Sequence, residues 1–324
     1  MSGMRDVSRK TKTLRTATAL AVLRLGEEGR KALSSGTAPK GDPFPVARVA
    51  GIQAAKNTAR LIPYCHPVPL DHVRLDFALE GQRVEIIAAV KAIWRTGVEM
   101  EALTAASIAA LTVYDMLKAV DPELFIESVR LVEKKGGASD FTEKYQKQRR
   151  AAVVVCSDSI SAGKKSDRSG RMIVERLEGL GVEVSDYKII PDDSVLLAEL
   201  LERYAQEEKL DLVVTTGGTG LGPRDVTPAA MKNVVDREAP GIAEAVRAYG
   251  LERTPYAMLS QGRAGVKGRT LIVNLPGSSR GVEESLDALF PWIFHAFGMI
   301  EGKGHGGTGY AGAHGESSPK DDSV

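Results

Sequence analysis

The first half of the chain contains short segments in which apolar and polar residues alternate. Residues 73–79 and 84–90 place an apolar side chain at nearly every second position, and the turn-forming sequence EGQR lies between them. This pattern predicts a β-hairpin with one buried face. Residues 17–25 and 127–133 alternate in a similar way and predict two further strands.

Two longer segments of the first half have helical periodicity instead. Residues 44–62 and 99–120 are predicted helices, because apolar or small residues recur at spacings of three and four. In the second of them these residues are Met100, Leu103, Ser107, Leu111 and Tyr114. Strands and helices in this mixed order predict an α+β domain, with an antiparallel sheet and helices on one side.

In the second half, short apolar runs alternate regularly with helical patterns. The predicted strands are residues 151–155, 182–190, 210–216 and 270–276. The predicted helices are residues 169–180, 194–206 and 241–249, the last closed by Gly250, with two more that begin at Thr227 and after a cap at Ser279. This order predicts an α/β three-layer domain around a mostly parallel, doubly wound sheet.

A chain of 324 residues is long enough for about two domains. The stretch GGASDFTEKYQKQRR has linker composition, so we predict a first domain over residues 1–140, a linker over 141–149 and a second domain over 150–303. Residues 304–324 are rich in glycine and serine, and we expect a disordered tail there. Its histidines, His305 and His314, are better explained by a solvated tail than by metal binding.

Composition and charge exclude several classes of partner and compartment. The net charge of +1 indicates no extended surface for nucleic acid or for an acidic membrane. Cys65 and Cys156 form no CxxC pair, so neither a zinc site nor a disulfide is expected. The basic N-terminus leads into no apolar stretch typical of a signal peptide, and no run of about 18 apolar residues predicts a membrane span. We therefore expect a cytoplasmic protein that acts on small molecules.

Three loops rich in glycine, serine and threonine follow predicted parallel strands, at the end of the sheet where such folds bind ligands. They are residues 156–163, 215–227 and 274–279. The middle loop, TTGGTGLGPRDVT, has four glycines and few bulky side chains. Loops of this kind expose backbone N–H groups that bind phosphate. The alternative is a tight connection in which the glycines supply positive φ.

Two aspartates close to these loops are candidate magnesium ligands. Asp225 lies near the end of the glycine loop, and Asp192 follows a predicted strand. A carboxylate beside a phosphate is repelled unless a cation lies between them, which favours Mg²⁺. The alternative for each aspartate is a cap of the helix that follows it. Arg224 is either a phosphate ligand or a solvated side chain.

The sequence TTGGTGLGPRDVTP, with SDS upstream and NLPGSS downstream, resembles the molybdopterin-binding family, in particular its MogA/MoaB-type adenylyltransferases, over residues 150–302. The resemblance implies a usually trimeric domain that transfers AMP from Mg-ATP to the terminal phosphate of molybdopterin and releases pyrophosphate. It implies Asp192 and Asp225 as catalytic and metal-binding residues. It also implies substrate binding by Ser157, Ser159, Gly217, Gly218, Thr219, Gly220, Pro276, Gly277 and Ser278. Related domains serve as scaffolds or hydrolases, so the fold alone does not establish the activity.

The first half also contains candidate functional residues, which are polar residues within otherwise apolar segments. Lys40 lies in a turn before a helix, and Cys65 and His66 lie between two prolines in LIPYCHP. Asp115 and Lys118 are three apart on one helix face. Each has an ordinary explanation when taken singly, because a lone histidine is more often a surface or satisfied core residue and such ion pairs are usually solvated.

Together, GIQAAKNTARLIPYCHP, TGVEMEALTAASIAALTVYDMLKAV and VRLVEKKGG resemble the MoaC family, cyclic pyranopterin monophosphate synthase, over residues 4–140. The resemblance implies a hexamer with sites at subunit interfaces. The implied reaction converts 3′,8-cyclo-7,8-dihydroguanosine 5′-triphosphate to cyclic pyranopterin monophosphate and pyrophosphate. Asp115 and Lys118 are the implied acid/base pair, and we expect neighbouring cations to lower the lysine pKa.

The same resemblance implies further residues that assist catalysis, bind the triphosphate or line the pocket. Lys40 and His66 are implied in catalysis. The residues implied in binding the triphosphate or in lining the pocket are Arg15, Cys65, Glu99, Met100, Glu101 and Lys134. Pro39 and Ala138 stand where the family commonly has basic residues.

The two resemblances in one chain predict a bifunctional enzyme of molybdenum cofactor biosynthesis. It is expected to be a homo-oligomer, a trimer or a hexamer. Its second domain is expected to use Mg²⁺ with ATP, and no tightly bound organic cofactor is expected. The alternative is a second domain that binds or assembles molybdopterin without catalysis, and a less favoured one is a nucleotide hydrolase.

Overall fold

The computed structural model describes residues 3–141 and 148–302. The chain divides into two compact units between Phe141 and Thr142. Each unit has its own hydrophobic core. The predicted linker falls largely, and the predicted tail wholly, outside the described residues.

An antiparallel sheet with two long helices against one face makes up most of the first unit. Its elements are β1 (Thr13–Arg24), α1 (Glu27–Ser35), α2 (Pro43–Leu61), β2 (His72–Glu80), β3 (Arg83–Trp94), α3 (Glu99–Leu117) and β4 (Phe125–Lys135). The strand order is β2–β3–β1–β4, and all three pairings are antiparallel. The predicted hairpin, the two further strands and the two helices are confirmed, whereas α1 was not predicted.

The alternating pattern of β3 places one face of the sheet in the core. Val84, Ile86, Ala88, Val90 and Ala92 are buried and pack in one cluster with side chains of α2 and α3. The intervening residues of β3 are partly or fully exposed. This is the one-sided burial that a period of two predicts.

Helix α3 packs through small side chains and not through the predicted apolar stripe. The fully buried alanines are Ala102, Ala105, Ala106, Ala109 and Ala110. Met100 and Leu111 of the predicted stripe are exposed. The reason is close approach of α2, because a Cβ on its Gly51 would lie 3.0 Å from the carbonyl oxygen of Ala105. Only small residues fit between two backbones at that distance.

The small, apolar composition of α3 has a further consequence. It is long and apolar enough to cross a membrane by length and composition, and within the described residues no other helix is. Half of its apolar stretch is buried inside the first unit. Its composition is therefore accounted for by its place in the core.

A six-stranded, mostly parallel sheet with helices on both faces makes up the second unit. Its elements are β5 (Arg150–Cys156), α4 (Asp158–Ser161), α5 (Ser169–Glu178), β6 (Glu183–Ile190), α6 (Ser194–Gln206), β7 (Leu212–Thr216), α7 (Thr227–Val234), β8 (Arg237–Glu238), α8 (Pro240–Leu251), β9 (Ala264–Lys267), β10 (Thr270–Leu275), α9 (Ser279–Leu289) and α10 (His295–Ile300). The strand order is β6–β5–β7–β10–β9–β8. The first four strands in this order are parallel to one another, and β9 pairs antiparallel with both β10 and β8.

The two faces of this sheet carry separate clusters of apolar side chains. One cluster packs beneath α5, α8 and α9, and the other beneath α6 and α7. Strand β5 is buried on both faces from Ala151 to Cys156, as its continuous apolar run predicts. The three-layer prediction is confirmed.

Three details of the second unit differ from the prediction. Helix α8 does not stop before Gly250 but continues through it to Leu251. Ser278, and not Ser279, caps α9 by accepting a hydrogen bond from the N–H of Gly281. Strands β8 and β9 were not predicted, because they are only 2 and 4 residues long.

We expect Gly51→Ala to destabilise the first unit although alanine is the better helix former. The gain in helix propensity is about 1 kcal/mol, whereas the overpacking against Ala105 and Leu75 costs roughly 1–3 kcal/mol. Urea unfolding of the full chain, followed by hydrogen exchange in peptides of each unit, measures the effect. Gly241→Ala in α8 is the control, since its added Cβ has no heavy atom within 4 Å, and it should stabilise slightly. A stabilising Gly51→Ala would contradict the packing argument.

Candidate functional site

One cluster of charged side chains in the first unit joins residues that are distant in the sequence. Asp115 lies near the end of α3. Its Oδ1 accepts a hydrogen bond from Nζ of Lys118 at 2.8 Å, and its Oδ2 accepts one from Nζ of Lys40 at 2.6 Å. Lys40 also donates to the backbone carbonyl of Asp115 at 3.2 Å. We call Lys40, Asp115 and Lys118 the lysine–aspartate cluster. The predicted acid/base pair therefore lies with the predicted Lys40.

The contacts within the cluster favour the ionised forms of Asp115 and Lys118. Hydrogen bonds from Lys118 and Lys40 lower the pKa of Asp115 to about 2. The same bond to Asp115 raises the pKa of Lys118. The expectation of a lowered lysine pKa is therefore wrong for this chain, because the nearest charge on Lys118 is an anion and not a cation.

A second group of predicted residues lines one open cavity of about 340 Å³, which we call the first-unit pocket. It lies between the extended segment after α2 and the loop that leads from β3 into α3. The predicted residues that line it are Cys65, His66, Glu99, Met100 and Glu101. Gly97 also belongs to it, and a Cβ there would collide with the carboxylate of Glu99 at 1.8 Å. The glycine thus makes room for that carboxylate.

The acidic residues of the first-unit pocket differ in their surroundings. Glu101 is only 4% exposed, and burial raises the pKa of its carboxyl. Glu99 pairs with Lys134 at 3.2 Å. Burial also raises the pKa of the Cys65 thiol, so Cys65 is a neutral lining group at neutral pH.

Arg15 supports the pocket from behind. Its guanidinium donates from Nε to the carbonyl of Trp94 and from Nη2 to that of Arg95, both at 3.2 Å. Burial lowers the pKa of Arg15. The two bonds are to the last residue of β3 and the first residue of the loop that leads into the pocket, so Arg15 holds the start of this loop within the single chain.

The two groups of first-unit residues lie at opposite ends of α3. Glu101 is in its first turn and Asp115 near its last. With a rise of 1.5 Å per residue, 14 residues separate them by about 21 Å along the helix axis. The single chain does not bring His66 and Glu101 together with the lysine–aspartate cluster, although each group is assembled on its own.

In the second unit, the loops that follow β5, β7 and β10 meet at the carboxyl end of the sheet. A Cβ on Gly217 would lie 2.1 Å from the carbonyl oxygen of Cys156, and one on Gly277 would lie 3.2 Å from the Cα of Gly217. Gly217 and Gly218 have φ of 96° and 59°. These two glycines therefore adopt a backbone conformation that other residues rarely adopt. They also lie where the three loops contact one another closely.

Asp192 lies against this glycine turn. Its Oδ2 accepts the backbone N–H of Asp158, and Oδ1 of Asp158 accepts the N–H of Asp192. The other oxygen of Asp192, Oδ1, is buried and has no hydrogen-bond partner among the described residues. It lies 3.4 Å from the position of a Cβ on Gly218.

Asp225 lies on the other part of the loop. Its Oδ2 accepts the N–H of Gly222 at 2.7 Å, and Cβ atoms on Gly220 and Gly222 would lie 2.8 and 2.9 Å from that oxygen. The capping alternative is wrong for both aspartates. Asp193 caps α6, and α7 follows Val226 without a side-chain cap.

The two carboxylates fit a magnesium ion better than a metal held by protein alone. Among the described residues, no group of three or more His, Cys, Asp and Glu side chains is placed to hold a metal. Mg²⁺ is usually bound through one or two carboxylates and takes its other ligands from water and phosphate. The unpaired oxygen of Asp192 and the carboxylate of Asp225 are the groups that could hold such an ion.

An open cavity of about 360 Å³ extends from the glycine loop, and we call it the second-unit cavity. The predicted residues that line it are Thr219, Gly220, Pro276, Gly277 and Ser278. Ser157 and Ser159 lie in the first loop, with hydroxyls 3.2 Å apart. Ser157 accepts the N–H of Ile160, so part of its role is to begin α4.

The sequence analysis missed several residues of this site. Asp158 bonds to Asp192 and pairs with Arg224, and its position inside the SDS motif was the available signal. Arg224 pairs with Asp158, but its side chain is 71% exposed, so both alternatives, a phosphate ligand and a solvated side chain, stay open. Arg247 and Glu284 line the second-unit cavity, but single charges on helices carry no sequence signal.

Each half of the chain matches a known protein family. Residues 4–137 match the MoaC family, and residues 152–295 match the family described as a probable molybdopterin binding domain. A protein of Novosphingobium aromaticivorans named cyclic pyranopterin monophosphate synthase is 52% identical over 136 residues, 42% of this chain and 87% of that protein. The crystal structure of MoaB from Thermus thermophilus is 46% identical, covers 48% of this chain and 98% of its own, and has a TM-score of 0.46.

Two relatives are similar over nearly the whole chain. Proteins of Chlorobaculum tepidum and Synechococcus elongatus are 42% and 36% identical, and both are named molybdenum cofactor biosynthesis bifunctional protein. Each match covers 94% of this chain, and 96% and 99% of the relatives. The fold and sites define a MoaC domain followed by a MogA/MoaB-type molybdopterin-binding domain. The chain belongs to the family of bifunctional molybdenum cofactor biosynthesis proteins.

We expect Glu101→Gln to stabilise the first unit, and to do so more as the pH rises. Burial raises the pKa of Glu101 above its usual value of 4.5. The Glu101 carboxyl therefore loses its proton at a lower pH in the unfolded chain than in the folded one. The wild type therefore loses stability as the pH rises through that window, whereas glutamine does not ionise. Urea unfolding of both proteins at several values between about pH 4 and 8 measures the difference. A difference that stays constant across this range would contradict the assignment.

Proposed function

We propose that the first unit converts 3′,8-cyclo-7,8-dihydroguanosine 5′-triphosphate to cyclic pyranopterin monophosphate and pyrophosphate. The observation that carries this proposal is the lysine–aspartate cluster, in which one carboxylate holds two ammonium groups brought together from residues 40 and 118. Its support comes from the MoaC match and from the name of the Novosphingobium relative.

The charges of the cluster suit the first proton transfer. Because Asp115 raises the pKa of Lys118, the lysine meets the substrate as an ammonium ion and acts first as a general acid. Having given up that proton, it is the base for the next transfer. Lys40, on the other oxygen of Asp115, keeps the carboxylate ionised and adds positive charge for the triphosphate.

The first-unit pocket supplies the complementary part of the site. His66 and the Lys134–Glu99 pair offer donors to phosphate and pterin, and buried Glu101 offers a carboxyl group. A general acid must come within about 3 Å of the atom that it protonates. The separation of about 21 Å along α3 prevents one chain from serving one substrate with both groups. We infer that the cluster of one chain completes the pocket of another chain.

We expect two inactive variants to restore activity when they are assembled together. Lys118→Ala removes the cluster's acid and His66→Ala removes a pocket residue, and each alone should lose activity by about 10²–10⁴-fold. If each site takes one part from each of two chains, a random equal mixture rebuilds about a quarter of the sites. Co-refolding or co-expression of the two variants, followed by an assay of cyclic pyranopterin monophosphate, measures this.

The control for this experiment is a mixture of Lys118→Ala with Lys40→Ala, which alter the same part of the site and should not restore activity. Light scattering of the wild type completes the test. A monomer in solution, or a His66→Ala and Lys118→Ala mixture as inactive as its components, would reject the shared site.

We propose that the second unit adenylylates molybdopterin with Mg-ATP. The observation that carries this proposal is the pair of carboxylates against the glycines of this loop: the unpaired oxygen of Asp192 lies against Gly218, and Asp225 lies against Gly220. A site that only bound an anion would be weakened by two carboxylates beside it, unless they serve a cation. Mg²⁺ bound there would neutralise phosphate charge.

The protein's own groups bind and orient the reactants. Backbone N–H groups of the glycine loop and of the loop after β10 hold the terminal phosphate of molybdopterin, and the second-unit cavity takes its pterin. An oxygen of that phosphate attacks the α-phosphorus of ATP, and the bond to the pyrophosphate leaving group breaks. Positioning and charge stabilisation account for most of the catalysis in reactions of this kind.

We expect Asp192→Asn and Asp225→Asn each to reduce adenylylation by at least about 100-fold, because the divalent cation loses an anionic ligand. Asp193→Asn is the matched control. It removes the neighbouring charge, yet asparagine caps a helix about as well as aspartate. Formation of adenylylated molybdopterin from ATP and Mg²⁺, separated by chromatography, measures all three variants.

A wild type that binds molybdopterin but forms no adenylylated product would make the second unit a binding or assembly module. Pyrophosphate released from ATP without molybdopterin would instead favour a hydrolase. We also infer a cytoplasmic, homo-oligomeric enzyme, a trimer or a hexamer, whose partners are the small-molecule substrates. No nucleic acid or membrane takes part in this proposal.

A further inference from the structure

Three buried hydroxyl groups hold carbonyl oxygens in the loops of the second unit. Thr216 donates to the carbonyl of Pro276 at 2.6 Å. Thr227 donates to that of Gly217, and Ser169 to that of Gly277, both at 3.0 Å. The three donors are buried. Each bond therefore fixes the orientation of one peptide plane in a loop that is otherwise short of side chains.

The other side of each peptide plane carries an N–H group. Because the peptide unit is planar and trans, its N–H points away from its C=O. The three N–H groups in question belong to Gly218, Gly277 and Ser278. Within residues 148–302, none of them donates a hydrogen bond in the structure. They are free donors whose direction is set by the hydroxyls behind them.

These three donors lie in two loops that contact one another. A Cβ on Gly277 would meet the Cα of Gly217 at 3.2 Å, and Gly277 and Ser278 line the second-unit cavity. Gly218 does not line the cavity itself, but it precedes Thr219, which does. Unpaired donors in two adjoining loops at the rim of a cavity suit a tetrahedral anion, which accepts several N–H groups at once.

We propose that Thr216, Thr227 and Ser169 are positioning residues, which aim the N–H groups of Gly277, Gly218 and Ser278 at the phosphate of molybdopterin. This inference rests on the proposed function of the second unit. None of the three hydroxyls touches the substrate. Their effect passes through the carbonyls that they hold, so their loss misaligns the phosphate donors.

Ser169 differs from the other two because it lies on α5 and not in any of the three loops. Its helix begins at a firmly held turn, since Asp167 accepts the N–H groups of Gly170 and Arg171. Asp167 also accepts the hydroxyl of Tyr187 at 2.5 Å. The position of Ser169, and with it the peptide between Gly277 and Ser278, is thus tied to β6 and to the core.

The test compares Thr216→Val with Thr215→Val in the full chain. Both threonines are buried in β7 and both variants lose a hydroxyl. The hydroxyl of Thr215 accepts from Asn274 and holds no loop carbonyl. We expect similar losses of thermal stability, but a dissociation constant for molybdopterin that rises about tenfold only in Thr216→Val, as weakened hydrogen bonds to a charged group imply. Ser169→Ala should behave like Thr216→Val.

Two further measurements separate positioning from general damage. Thr216→Ser and Ser169→Thr keep a hydroxyl and should restore wild-type affinity. Dephosphorylated molybdopterin, used as a second probe under anaerobic conditions, should bind to wild type and Thr216→Val with equal affinity, because it lacks the group at which the donors point.

The outcomes distinguish this inference from the function on which it rests. A wild type that neither binds molybdopterin nor adenylylates it would overturn both. A wild type that does so, with Thr216→Val and Ser169→Ala no weaker for molybdopterin than Thr215→Val, would overturn the positioning role alone. An equal loss of affinity for the phosphorylated and dephosphorylated probes would also overturn it.

Discussion

Both units depend on backbone segments that approach one another more closely than side chains allow. In the second unit, Gly217 lies against the carbonyl of Cys156 and the Cα of Gly217 lies against Gly277, so three loops converge on one point. In the first unit, Gly51 of α2 lies against the backbone of Ala105. Both contacts require glycine or another very small residue. Both also set the positions of the loops and helices that carry the polar groups of each unit.

In the functions proposed above, the two units would bind anionic substrates with different chemistry. The first unit uses side-chain cations, and in the single chain these cations are already paired: Lys40 and Lys118 with Asp115, and Lys134 with Glu99. Substrate must compete with the internal carboxylates for these lysines. The second unit would use backbone N–H groups, which carry no mobile charge and whose orientation is fixed before the ligand arrives.

The distribution of polar groups along α3 also limits what a single chain can do. The helix carries Glu99 and Glu101 at one end and Asp115 at the other, with a buried alanine face between them. A rigid helix of this length keeps the two groups apart, which is why the proposed reaction of the first unit calls for a site shared between chains. The short reach of a general acid makes this separation decisive.

Local patterns along the chain were sufficient to predict both folds and to propose most of the candidate residues. Alternation along β3, the continuous apolar run of β5 and the glycines of the loop after β7 are local signals, because burial and positive φ act on neighbouring residues. Which of these residues come into contact became clear only from the packed structure. It paired Lys40 with Asp115, showed that Asp193 and not Asp192 caps α6, and placed Ser169 behind Gly277. Such contacts join residues far apart in the chain, and their distances depend on how helices and strands pack, which no local pattern records.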